Sequence, residues 1–232
     1  MARHRGPAPR DRDLFAPDRL DPLRTAVAEL SWLLARGYAE GSALKLVGDR
    51  HALTARQRKA VRHCACPDPA RDARRRTRRP VEATAGETLH VDGFNVLIVG
   101  ESVLGGGVVL VGRDGAHRDL ASVHGTWRRV AETTEVVDAL GAMTREAREV
   151  VWWLDRPVSN SGRLAALLRE RARVRGWRWR TEVVWDPDGV LADTDGLVAT
   201  ADARVLDAGV RWVDLPGALA RATPTAWVVD LR

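Results

Sequence analysis

The chain has little cysteine, little lysine and almost no aromatic residue other than tryptophan. Its 232 residues include two cysteines, one tyrosine and two phenylalanines against nine tryptophans. Cys64 and Cys66 stand one residue apart, too close for an ordinary disulfide, which excludes a disulfide framework. With His63 they spell His-Cys-Ala-Cys. A structural zinc site takes four ligands in spaced pairs, and no second pair exists, so two packed cysteines at a helix end are expected. No apolar run approaches the roughly 18 residues that span a bilayer, so no membrane partner is expected. Met1 to Arg19 is basic and lacks an apolar core, and it reads as a tail rather than a signal peptide. Together with the sparse cysteine, this leads to the expectation of a cytoplasmic protein.

What the chain does have is arginine, unevenly placed. The formal net charge is +6. Residues 1–80 hold 19 Lys and Arg against 9 Asp and Glu, whereas residues 81–232 hold 18 against 22. A basic half suits a polyanion and an acidic half suits a cation site. The densest basic stretch, Asp68 to Arg79, carries Arg71, Arg74, Arg75, Arg76, Arg78 and Arg79. It reads either as a solvated helix face or as a phosphate-binding arm; without interleaved aromatics, binding there would be blind to sequence.

The pattern divides the chain into a disordered tail (1–20), a basic helical domain (21–80), a linker (81–87) and an α/β domain (88–232). Asp21 and Pro22 open a helix that Gly37 stops. A second runs from Gly41 to Gly48, and a third starts with Thr54 as cap. Beyond the linker, strands and helices alternate: a strand over 89–99, a short strand over Val108 to Val111 and a long helix from about Arg118 to Leu140. Strand Glu149 to Leu154, helix Arg163 to Arg175 and strand Trp179 to Trp185 follow, then strand Leu197 to Thr200, a short helix and strand Arg211 to Asp214. Repeated β-α units predict a parallel sheet sandwiched by helices, preceded by a small all-α basic domain.

The functional signal lies where predicted strands end in aspartate. Leu89-His90-Val91-Asp92-Gly93-Phe94-Asn95 places a carboxylate and a glycine turn after an apolar run, and Asn95 is suited to bond the backbone locally or to hold the aspartate. The same ending recurs at Trp152-Trp153-Leu154-Asp155 and at Thr200-Ala201-Asp202. Open parallel sheets bind ligands outside the carboxyl ends of their strands, so Asp92, Asp155 and Asp202 are expected to converge as ligands of Mg²⁺ or Mn²⁺. Asp119, expected in the first turn of a helix, and Asp195 are supporting candidates. Arg113, Arg156 and Arg163, with Ser159, Asn160 and Ser161 before a helix, offer a phosphate site; plain capping by the serines is the competing reading. His124, among Arg113, Asp114, His117 and Arg118, is a candidate general acid or base.

These motifs carry a resemblance. Val-Asp-Gly-Phe-Asn-Val-Leu (91–97) resembles the opening strand of the PIN/NYN-like nucleases, and Arg118-Asp119-Leu120, Trp-Leu-Asp155 and Ala-Thr-Ala-Asp202 resemble their later motifs in order. The resemblance covers about residues 88–215. It implies a PIN-like, metal-dependent ribonuclease fold with Asp92, Asp119, Asp155 and Asp202 as the acidic positions. Members of that group usually carry an acidic residue on a helix before the last aspartate strand, but Asp193-Thr194-Asp195-Gly196 leads almost directly into it, so no such helix is expected. The whole chain, through segments such as 43–50, 53–58 and 156–164, is similar to an uncharacterised prokaryotic family labelled only as domain of unknown function 434.

The expected function is therefore a Mg²⁺- or Mn²⁺-dependent nuclease that hydrolyses a phosphodiester. RNA is favoured over DNA, and the basic helices hold the backbone. Two alternatives stand beside it: a non-catalytic nucleic-acid-binding protein with a degenerate PIN-like domain, and a helix-turn-helix regulator built on Ser42 to Arg62. The oligomeric state is open.

Overall fold

The computed structural model describes residues 3–121 and 125–232. It is an α/β protein with a six-stranded parallel sheet flanked by helices, preceded by an all-helical region. The N-terminal helices are α1 (Asp11–Leu14), α2 (Pro17–Leu34), α3 (Glu40–Arg50), α4 (Ala55–Cys64) and α5 (Asp68–Thr77). Thr54 caps α4 in a capping box with Gln57, which satisfies two backbone N–H groups at the helix start. Leu23, Leu30 and Val61 of these helices pack on Val108, Leu110, Val229 and Leu231, so the helical region shares a core with the strands that follow.

The segment expected to be a disordered tail is held in place. Asp11 is fully buried and forms an ion pair with Arg56, whose Nη2 donates to Oδ2 at 2.8 Å. Arg5 reaches the buried Glu101 at 2.7 Å. Arg5 and Asp11 thus find partners 96 and 45 residues away along the chain, which no local pattern reveals. The 81–87 segment likewise holds a helical turn, Val81–Thr84, with Thr84 buried.

The α/β part comprises β1 (Arg78–Arg79), β2 (Thr88–Asp92), α6 (Gly93–Leu104), β3 (Val108–Val111), β4 (His117–Asp119), α7 (Thr133–Met143) and β5 (Glu149–Asp155). After these come α8 (Ser161–Arg175), β6 (Trp179–Val184), α9 (Pro187–Ala192), β7 (Leu197–Ala199), α10 (Ala203–Asp207), β8 (Arg211–Val213), α11 (Leu215–Ala222) and β9 (Trp227–Asp230). The main sheet has the order β1-β8-β7-β2-β5-β6, every pairing parallel. A second sheet, β4-β3-β9, pairs β3 antiparallel to β4 and parallel to β9. Among the described residues, no helix is long and apolar enough to cross a membrane.

Two elements differ from expectation. The apolar run after Asp92 is helix α6, not the continuation of a strand over 89–99. Val96, Leu97, Ile98, Val99 and Val103 are all buried, so α6 is covered on nearly every side, and a helix apolar all round has the same sequence appearance as a buried strand. The helix expected from Arg118 does not start there: 117–119 is strand β4 and α7 begins only at Thr133. His117 and Arg118 are buried by long-range polar partners, which fix an extended conformation in place of a helical one.

Strand β2 is central, flanked by β5 on one side and β7 on the other. The chain builds outward through β5 and β6, then crosses back to β7 and β8. The crevice beyond the carboxyl end of β2 is thus the topological switch point, where ligands of open α/β sheets bind.

Candidate active site

Asp92 is the last residue of β2, opposite Trp153 of β5. Asp155, two residues further along β5, ends that strand, and Val91 pairs with Ala199 of β7, which sets Thr200 beside Asp92 and Asp202 just beyond. Parallel register therefore delivers three of the expected aspartates to one edge. A fourth, Asp188, arrives in the first turn of α9. That helix exists because Asp186 caps it, accepting from the Gly189 N–H, and Pro187 takes the first position. The expectation that 193–196 leaves no helix before the last aspartate strand is corrected here: the helix lies earlier, at 187–192. Asp195, the supporting candidate, is not on it.

Polar contacts fix the site. Thr200 Oγ1 donates to Asp92 Oδ2 at 2.8 Å and accepts from the Asp202 N–H at 3.0 Å. Asp202 Oδ1 caps α10, accepting from the N–H groups of Arg204 and Val205. Asn95 does neither of the things expected of it; its Oδ1 accepts from the Ala201 N–H at 3.0 Å and ties the start of α6 to the end of β7. Among the described residues, Asp92, Asp155 and Asp202 form no ion pair.

The carboxylates feel one another. Asp92 is only 6% exposed. Burial, and then the negative charges of Asp188, Asp202 and Asp155, push its pKa up to about 8 against the bond from Thr200. Burial followed by Asp202 and Asp155 raises Asp188 to about 6. Burial, with a contribution from Asp186, raises Asp155. Arg204 stands at this edge, paired with Asp186 and 4.0 Å from Asp188. Among the described residues no group of three or more His, Cys, Asp or Glu side chains is close enough to enclose a metal ion.

Asp119 is set apart. It ends β4, not the first turn of a helix, and its Oδ1 is buried without a partner. Burial pushes it up to about 7 against the nearby Lys59. It lines a cavity of about 310 Å³ together with Arg62, His63, Asn95 and Asp202. Burial also holds the His63 imidazole down, at about 4.

Residues 81–218 match the family described as "Domain of unknown function (DUF5616)". The chain belongs to that family. Residues 22–77 match "Protein of unknown function (DUF434)". The chain is also similar to "Uncharacterized protein MJ0935" of Methanocaldococcus jannaschii, 26% identical over 152 residues, which cover 65% of this chain and 73% of that protein. No solved structure matches it significantly. The DUF5616 segment carries all four aspartates at the sheet edge and Asp119; the DUF434 segment comprises most of α2 and the whole of α3 to α5.

Within the DUF5616 segment, the expected phosphate loop is mostly committed to its own fold. Ser161 is buried and its hydroxyl donates to the carbonyls of Asp155 and Val158. Ser159 pairs through its backbone with Gly125 and Trp127. Asn160, at φ 72°, donates from Nδ2 to the Trp127 carbonyl at 2.9 Å. Arg156 lies over the Trp185 ring, 5.5 Å from its centre. The side chains of Ser159 and Arg163 are exposed and form no hydrogen bond or ion pair among the described residues. Arg113 is elsewhere, bonded to the Cys66 carbonyl and to Asp68.

The basic clusters are likewise occupied. Arg74 and Arg118 both pair with buried Asp114, and His117 Nδ1 lies 2.7 Å from Asp214 Oδ2. Arg71 pairs with Asp68 and Asp72, and Arg78 with Asp214. Of the six arginines in Asp68 to Arg79, Arg74 and Arg78 tie the helical region to carboxylates of the α/β part and Arg71 pairs within its own helix, whereas Arg75 and Arg76 are exposed and have no carboxylate partner among the described residues. On α4, Arg56, Arg58 and Arg62 pair with Asp11, Asp49 and Glu40, and Lys59 donates to the Leu120 carbonyl, so the helix-turn-helix reading gains no free basic face. Cys64 and Cys66 are buried free thiols, and burial pushes Cys64 up to about 12. His124 lies outside the described residues.

Two features at this edge escaped the sequence. Asp188 was visible in Asp186-Pro187-Asp188, a cap followed by a proline, which is a helix start. Trp185, 71% exposed and next to the end of β6, had no local signal, since a tryptophan in a strand looks like core.

Proposed function

We propose that this protein is a PIN/NYN-like, divalent-cation-dependent nuclease acting on single-stranded RNA at the carboxyl edge of the main sheet. One observation carries the proposal: Asp92, Asp155, Asp188 and Asp202 come from four separate segments to the switch point, mutually repelling and without a basic partner for Asp92, Asp155 or Asp202. Uncompensated carboxylates at one edge are costly unless a cation relieves them.

The donor set fits Mg²⁺ or Mn²⁺, hard cations that take oxygen ligands. Mg²⁺ keeps several waters and binds through one or two carboxylates plus substrate phosphate, which agrees with an edge where no three carboxylates enclose an ion. Asp92 and Asp155 would hold it, with Asp188 and Asp202 within electrostatic reach. Such an ion supplies a Lewis acid for the phosphoryl oxygens and an activated water. The chain's own groups do the positioning. Thr200 fixes one oxygen of Asp92 and leaves Oδ1 for the ligand, and Asp202 has Oδ2 left once Oδ1 caps α10. Trp185 and Arg156 present a flat exposed face next to Asp155 on which a base can stack.

The test is cleavage of a labelled single-stranded RNA with Mn²⁺, comparing wild type, Asp92→Asn and Asp188→Asn. Cleavage by the wild type that both variants lose supports the reading. Mn²⁺-independent cleavage, or none by well-folded wild type across RNA and DNA substrates, sinks it.

A further inference from the structure

A cavity of about 620 Å³ lies away from the carboxylate edge. It lies between the 127–129 segment and the outer face of α8, and α7 contributes Thr134. Four arginines line it, Arg128, Arg129, Arg163 and Arg171, against a single glutamate, Glu170. Arg163, Leu167 and Arg171 follow each other at four-residue steps, so one stripe of α8 forms a wall. Arg171 is steadied by Asp138 behind it, and Arg129 donates to Thr134 Oγ1 at 2.7 Å. The side chains of Arg128 and Arg163 are exposed and have no hydrogen bond or ion pair among the described residues. The cavity wall also includes Trp127, 3% exposed, whose Nε1 is buried without an acceptor.

The cavity is tied to the carboxylate edge by the loop after β5. The Trp127 N–H donates to the Ser159 carbonyl at 3.0 Å, Asn160 Nδ2 donates back to the Trp127 carbonyl, and the Ser161 hydroxyl bonds the Asp155 carbonyl. The 155–161 loop thus joins the carboxylate edge to the wall that carries the arginines.

We infer that this cavity is a binding trough for the phosphates of a single-stranded nucleic acid flanking the cleaved linkage. The inference rests on the nuclease reading for which strand enters it, but not for the binding itself. Exposed guanidiniums without protein partners match phosphate in fork geometry. No exposed aromatic lines the cavity, so it reads the backbone and not the bases.

The experiment is fluorescence anisotropy of a labelled oligouridylate on the full chain over a range of salt, without divalent cation. Three proteins are compared: wild type, the double variant Arg128→Glu with Arg163→Glu, and the milder double variant to Ala. Thermal melts check that each is folded. The expected result is a loss of about tenfold or more in affinity for the Glu pair, a smaller loss for the Ala pair, and a salt slope lower by about 0.7 for each phosphate contact removed. Wild-type affinity and slope in the Glu pair, or no binding by the wild type at low salt, overturns the trough. Intact trough binding without any cleavage overturns only the nuclease reading.

Discussion

Thr200 Oγ1 donates to Asp92 Oδ2 at 2.8 Å from the neighbouring strand of the sheet, and it is the only polar side chain among the described residues that bonds this buried carboxylate. The bond offsets part of the burial that drives Asp92 up. Thr200→Val keeps the shape and removes the donor. We expect a loss of about 1–3 kcal/mol, the cost of an unsatisfied buried polar group. Urea denaturation at pH 8 measures it, and an unchanged midpoint would show that the bond contributes nothing.

Stability should fall as pH rises. Asp92, Asp119 and Asp188 have folded values of about 8, 7 and 6, above the ordinary carboxylate value near 4. The folded state therefore binds more protons than the unfolded chain across this window. The stability these groups contribute is fully present below about pH 4 and is lost progressively up to about pH 8. Melting without divalent cation should drop by several degrees between pH 5 and pH 8, and Mn²⁺ should restore most of the drop at pH 8. A flat profile would contradict the clustering.

Asp119 should be separable from the four edge aspartates. Burial raises its pKa against the charges of Lys59 and Arg5, and of the four only Asp202 lines the same cavity. Calorimetry should find Mn²⁺ binding unchanged in Asp119→Asn and abolished in Asp92→Asn. Equal losses in both would place Asp119 in the ion site.

Asp114 should be structural. It is buried between Arg74 of the helical region and Arg118 of β4, and Arg118 holds its carboxyl well below the usual range despite burial. Asp114→Ala leaves buried Arg118 without its carboxylate and Arg74 with Asp207 alone, at a cost of about 3–5 kcal/mol. Denaturant unfolding should show this loss, and an effect near zero would mean that water reaches the pair.

Trp185 should matter to the ligand and not to the fold. Trp185→Ala should shift stability by about 0.5 kcal/mol or less, as expected of an exposed site. RNA affinity should weaken by about 1–3 kcal/mol, the worth of one base stacked on an aromatic. Undiminished affinity would remove the stacking platform.

Much of this was written locally. Strands β5, β6, β7 and β8 and helices α4 and α8 are legible because their alternation, caps and glycine stops act within a few residues. Asp92, Asp155 and Asp202 could be singled out because each ends an apolar run. Helix α6 could not be told from a strand, since a segment buried on every side loses its period. The arginines of α5 could not be assigned either, because whether a guanidinium is free depends on carboxylates 40 and 133 residues away, as Asp114 and Asp207 are from Arg74.

The sequence by itself determined the alternation of elements, the parallel sheet and the three aspartates at strand ends, because short-range sterics and hydrophobic patterning act along the chain. Only the tertiary structure decided that Asp188 joins them, that Asp119 sits on the second sheet and that Arg71, Arg74 and Arg78 of the basic stretch pair with carboxylates. It also decided that Arg128 and Arg163 have no hydrogen bond or ion pair among the described residues. Charge is cancelled or left bare by whatever the fold brings within a few ångströms, and that distance is set by packing, not by position in the sequence.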